Sequence, residues 1–186
     1  GAVLELHTRD DAAGVSVDVA GGSHGYRRAA VAAAGGETTS WAVGATLTGA
    51  EGRFRFYDDG GTPLFSGDDT TTRRANHDHD AGGGWARVTV ERGDATSRSL
   101  AIVTADGRGI PGPGYAQAEQ TSLQRQRAIV GNHTRVALRT PHTSHIDAVA
   151  QATYEAERYR DADDELGLGA QDERRSAWSV LVGARP

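Results

Sequence analysis

The sequence predicts an α+β fold: a mostly antiparallel β-sheet half followed by a helical half. Three observations predict it. From Ala2 to about Gly109, short runs rich in β-branched and aromatic residues are divided by Gly/Asp turns. Both central prolines fall in the break DGRGIPGPG, Asp106 to Gly114, which marks the change to α-rich texture. Beyond it lies His145 to Leu166, the longest segment with one consistent helical period and no Gly or Pro. The expected organisation is one domain over 1–186, β-rich in 1–110 and α-rich in 111–186.

The β half contains VLELH, VSVDVA, TTSWAVGATL, RFRFY, WARVTV and SLAIVT, read as five or six strands. Alternation is clear in Arg53 to Tyr57 and Ala86 to Val90. A short helix is expected at Tyr26 to Ala34, where Arg27, Arg28 and five alanines follow Gly25. Ser66 to Gly84 is polar, Gly-flanked and without period, which predicts a long loop.

In the α half, a helix is expected from Tyr115 to about Val130, ended by Gly131 and Asn132 as a cap. A short extended piece follows at Arg135 to Arg139. In the helix over His145 to Leu166, residues Ile146, Val149, Ala152, Ala156, Tyr159 and Leu166 form one apolar stripe. Glu155 sits at the edge of that stripe, and Arg158, three residues on, lies beside it on the same side. Such a pair is commonly an exposed salt bridge; in a half-buried site it is also chemically useful. The final segment, SAWSVLVG, packs Trp178 and Leu181 back onto this helix.

The bulk composition narrows the classes. The 186 residues are enough for a proper core, and mean hydropathy of −0.53 with 25 Gly describes a loop-rich globular chain. No apolar run approaches the roughly 20 residues of a membrane-crossing helix, so no membrane span is expected. Without cysteine there is no disulfide, thiol nucleophile or thiolate metal site. All 20 basic residues are Arg, a bias attributable to a GC-rich genome, and net charge −5 argues against indiscriminate nucleic-acid binding. The chain opens at Gly1 with no Met and no signal-like apolar segment, compatible with a mature secreted form or a trimmed product.

Three constellations bear on chemistry. Gly21-Gly22-Ser23-His24-Gly25 satisfies G-x-S-x-G between an expected strand and an expected helix, the setting of a nucleophile elbow. With His142 as base and Asp106 between them, the order suits a serine hydrolase, although 22 residues before Ser23 leave no room for the strands that fold normally places there. His77-Asp78-His79-Asp80 and the group His142, His145 and Asp147 offer oxygen and imidazole donors, but solvated side chains are the simpler reading and no metal is assigned. Asn132-His133-Thr134 matches a glycosylation sequon.

The third constellation is Gly114-Tyr115 opening a helix, Gln151 before Glu155-Ala156-Glu157-Arg158-Tyr159, then Arg174-Arg175-Ser176-Ala177 and Trp178. Over about residues 112–180 this order resembles the catalytic half of the ribosome-inactivating proteins, the ricin and Shiga toxin A-chain family. Tyr154 stands where that family has Ser, and its N-terminal helix has no counterpart here. The resemblance implies an RNA N-glycosidase that removes one adenine from the sarcin-ricin loop of large ribosomal RNA, with the ribosome as partner and no cofactor. By this resemblance Glu155 stabilises the oxocarbenium and activates water, while Arg158 assists the leaving adenine. Tyr115 stacks on the flipped base, Tyr57 or its neighbour Phe54 supplies a second aromatic, and Trp178 floors the pocket. A non-enzymatic β-rich binding module is the remaining alternative.

Overall fold

A computed structural model describes residues 13–138 and 144–186. The strands are β1 (Gly14–Gly21), β2 (Arg27–Gly35), β3 (Thr39–Ala50), β4 (Arg55–Asp58), β5 (Thr70–Arg73), β6 (His79–Arg92), β7 (Ala95–Gly109), β8 (Ser122–Ala137), β9 (His145–Asp161) and β10 (Gln171–Arg185). Eight of them form one antiparallel sheet in the order β1-β2-β3-β6-β7-β8-β9-β10, and β4 pairs with β5 inside the connection 51–78. Ser23–Gly25 forms the single 3-10 turn among the described residues, which contain no α-helix.

The helical half is therefore overturned. The expected helix at Tyr26 to Ala34 is β2, the one at Tyr115 to Val130 is a connection followed by β8, and the one at His145 to Leu166 is β9. The long loop over Ser66 to Gly84 contains β5 and the start of β6, and β7 runs through the supposed break as far as Gly109. SAWSVLVG belongs to β10, hydrogen-bonded along β9 with Trp178 opposite Tyr154. The expected strand VLELH lies outside the described residues.

The reason is visible in β9. Its even positions from Ile146 to Ala156 read Ile, Ala, Ala, Ala, Tyr, Ala, while its odd positions include Asp147, Gln151, Thr153, Glu155 and Glu157. This is a period of two, the mark of a strand with unlike faces. Alanine, the best helix former, supplied the local propensity that masked it. Hydrogen-bonded neighbours on both sides decide the outcome, since β9 pairs over His145 to Arg160 with β8 and over Asp147 to Asp161 with β10.

The connections differ sharply at the two ends of the sheet. At one end the strands are joined by residues 36–38, 93–94 and 138–144; at the other by 22–26, 51–78, 110–121 and 162–170. The long connections interlock into a cap. Gln117 accepts from the Ala75 amide through Oε1 at 2.7 Å and donates through Nε2 to the Arg73 carbonyl at 3.1 Å. Asn76 Nδ2 donates to the carbonyls of Ile110 and Thr121 at 3.1 and 2.7 Å.

Nothing comparable covers the sheet itself. The only buried apolar side chains among the described residues are Ala42, Ala118 and Leu123, and Ala118 belongs to the cap. A compact water-soluble protein of 19.5 kDa exposes about 8,500 Å², whereas this chain exposes 13,206 Å². Among the described residues no second layer, which a sheet in water needs to bury an apolar face, packs on the sheet.

Candidate functional site: a two-faced sheet

Because partners in an antiparallel ladder point to the same side, the register sorts every strand residue onto one of two faces. On one face, Thr39, Trp41, Val43, Ala45 and Leu47 of β3 align with Val15, Val17 and Val19 of β1 through β2. In the other direction they align through β6 and β7 with 126–134 of β8, 148–156 of β9 and 176–184 of β10. Across this nine-residue height no position on that face is Asp, Glu, Arg or His. Its large side chains stand exposed: Val17 is 72% accessible, Leu47 65%, Val130 60% and Val180 74%.

Polar groups frame this apolar band. Toward the long connections the same face carries Arg27 and Asp80, paired at 2.6 Å, and Arg158 and Asp172, paired through two hydrogen bonds of 2.8 and 2.6 Å. Toward the short turns, Asn132 Nδ2 donates to Ser97 and Ser99 at 3.0 and 2.9 Å, and its Oδ1 accepts from Thr134 at 2.9 Å. These groups satisfy one another without a charge. Aromatic side chains lie near both margins: Trp41 toward the short turns, and Tyr154 with Trp178, ring centroids 4.5 Å apart, on the other side.

The opposite face is charged. One row across four strands reads Asp106, Arg125, Glu157, Arg175, each residue the ladder partner of the next. Arg125 Nε donates to Glu157 at 2.8 Å, and Arg127 lies 2.9 Å from Glu155 in the adjoining row. A depression of about 370 Å³ follows these residues. Near the short turns, Asp147 is 1% accessible and receives two hydrogen bonds from Arg135, at 2.7 and 3.1 Å, with His133 Nε2 at 3.1 Å. Between these charged zones, Trp85 lies over Gly44; a Cβ there would meet its Nε1 at 2.6 Å. A bare backbone at residue 44 makes that seat possible.

The cap has its own polar centre. Asp161, 1% accessible, accepts from the amides of Glu165 and Leu166 at 2.8 and 3.2 Å and from Thr121 Oγ1 at 3.2 Å. Glu165 accepts from the amides of Glu119, Gln120 and Thr121, each at 2.9 Å. Those amide bonds, Gln120 first, hold its carboxyl below the ordinary range against the opposing cost of burial. In the connection 51–78, the hydrogen bond to Asp69 pushes the Tyr57 phenol up.

The predicted site residues are dispersed. Glu155 and Arg158 differ by an odd number of positions along one strand, so they emerge on opposite faces. Glu155 meets Arg127 and Arg158 meets Asp172. Trp178 lies on the apolar face against Tyr154, while Tyr115 and Tyr57 belong to exposed connections in the cap, with Tyr115 against Gly61. The glycosidase constellation is thus not assembled by these residues. Ser23 sits exposed in a turn followed by a strand, without the helix an elbow needs, and Asp106 lies within β7; His142 falls outside the described residues. Of the His/Asp stretch, Asp80 is engaged by Arg27 and His77 packs edge-on against Phe54.

Residues that sequence reasoning missed, Thr121, Asp161 and Glu165, become a unit only when the connections meet. The one signal available beforehand was the alternation of β9. No protein-family model, curated protein or solved structure matches the chain, so the comparisons bear on no family, the glycosidases included.

Proposed function

We propose that the sheet crosses a lipid bilayer as part of a β-barrel wall, with its apolar face on lipid and its charged face lining a water-filled passage. The observation that carries this reading is the charge-free height of one face set against the ion pairs that cross strands near both ends of the other. A transmembrane strand needs about 9–11 residues, and the apolar band is of that size. Strands that alternate apolar-out and polar-in, with aromatic residues near both margins, are features of outer-membrane-type barrels. Membrane strands bond their backbone groups within the sheet, as the ladders between neighbouring strands do here.

No helix among the described residues is long and apolar enough to cross a membrane. The absence of a run of some 20 apolar residues speaks only of helices, because a strand turns every second side chain away from lipid. The function is accordingly that of a selective wall: it separates lipid from an aqueous path whose lining is set by Arg125, Arg127, Glu155 and Glu157. The rRNA glycosidase and hydrolase readings are not carried further, since no observed geometry favours them.

The test uses the three tryptophans one at a time, with the other two changed to Phe, in vesicles containing brominated acyl chains. Trp41 and Trp178 are expected to be quenched strongly and Trp85 weakly. Equal quenching of all three, or none, would sink the reading.

A further inference from the structure

Resting on that membrane reading, we infer that these eight strands are a sector of a wider barrel, whose two outer edges pair with additional transmembrane strands rather than with each other. Among the described residues, β1 and β10 each have a neighbour on one side only. Neither edge carries a Pro, and most of each is free of charge. From Ser176 to Gly183, β10 carries no charge and no Pro, and β1 reads Val-Ser-Val-Asp-Val-Ala. Both continue the two-faced pattern to the rim, with Val17 and Val180 on the apolar face at 72% and 74% accessibility. An open edge in hydrocarbon leaves backbone donors and acceptors unsatisfied, so each requires a partner strand.

Strand length says what kind of partner. In sheet order the strands have 8, 9, 12, 14, 15, 16, 17 and 15 residues, so each neighbour differs from the next by three at most. Among the described residues, joining β10 to β1 would set 15 residues against 8, the one gross mismatch, whether β1 came from the same chain or from a second copy. Half of the β10 edge would stay unpaired. The partner that fits β10 is a long antiparallel strand, apolar toward lipid and polar toward the passage; the partner that fits β1 is a short one.

Spin labels at Ser16→Cys and Ser179→Cys, both on the polar face, test this in vesicles. Seven inter-strand steps separate the edges by about 34 Å along the sheet, and curvature still leaves more than about 20 Å, whereas closure onto itself brings them within about 15 Å. Dilution with unlabelled protein isolates the intramolecular distance. The expected result is the long distance. A short one within a chain overturns the inference in favour of an eight-stranded barrel; a short one between singly labelled chains overturns it in favour of a ring of copies. Bromolipid quenching of Trp178 in the same vesicles separates these outcomes from failure of the membrane reading.

Discussion

On one face of β9 the side chains run Ile146, Ala148, Ala150, Ala152, Tyr154, Ala156; on the other they run Asp147, Val149, Gln151, Thr153, Glu155, Glu157. The same seventeen-residue strand thus presents two unlike faces. On the apolar face, polar side chains are confined to the margins and bond to one another. On the charged face, Arg pairs with Glu and Asp across strands in two zones toward the strand ends, and the row through Gly44 and Trp85 between them carries no charge. The contrast teaches that this sheet is organised by what lies on either side of it, since no second layer among the described residues covers either face.

The sharpest way to break the contrast is to place the same charge on adjacent residues of β10. Val180→Arg is expected to cost about 2–4 kcal/mol of folding stability in vesicles, because a guanidinium near the middle of the apolar band is removed from water. Ser179→Arg, one position away on the charged face, should cost far less. Urea titration of the two variants in the same lipid measures the difference, and equal losses would mean that the faces see the same solvent.

A smaller effect is expected in the cap, which belongs to neither face. Asp161→Ala leaves the Glu165 and Leu166 amides without their acceptor, at about 1–3 kcal/mol, while the Thr121 hydroxyl keeps Glu165. Amide exchange should accelerate in 110–121 and 162–170 while the middle of β9 stays protected. Exchange that rises uniformly would show the cap and sheet to be one cooperative unit.

Gly44→Val probes the inner face by crowding. The new side chain displaces Trp85, at a cost of about 1–2 kcal/mol, within the usual range for overpacking. Trp85 emission should shift while quenching of Trp41 and Trp178 by brominated lipid is unchanged.

The smallest effect is one of pH. Glu165 has its folded pKa depressed, so its contribution to the cap is fully present above the ordinary carboxyl range and is lost as pH falls through the folded value. Protease sensitivity of the connections should rise on acidification below about pH 4, the ordinary range for Glu. Glu165→Gln, which cannot titrate, should flatten that response.

Much of the β half was legible because Val, Thr and aromatic residues alternate there in short runs between turns. VSVDVA, TTSWAVGATL and WARVTV all fall in strands of the sheet. The second half was misread because Ala-rich, Gly-free stretches such as His145 to Leu166 satisfy a helical stripe and a period of two at once. Ile146, Ala152 and Ala156 fit both patterns; Val149 and Tyr159 belong to the helical stripe alone, and in the strand they face the charged side. The proposed pairing of Glu155 with Arg158 depended wholly on that choice, because a spacing of three joins side chains on a helix and parts them on a strand.

By itself the sequence determined the alternation, the absence of charge on every second residue of these stretches, and the turn residues that separate them. It also determined that no segment crosses a membrane as a helix. Only the tertiary structure decided that these alternations share one register, so that eight charge-free stripes merge into a band and the charges behind them meet in rows. The physical reason is that a lone strand can neither bond its own backbone nor bury its own face. Its partners come from residues tens of positions away, and which of its two faces becomes apolar surface or charged lining is settled only when they align.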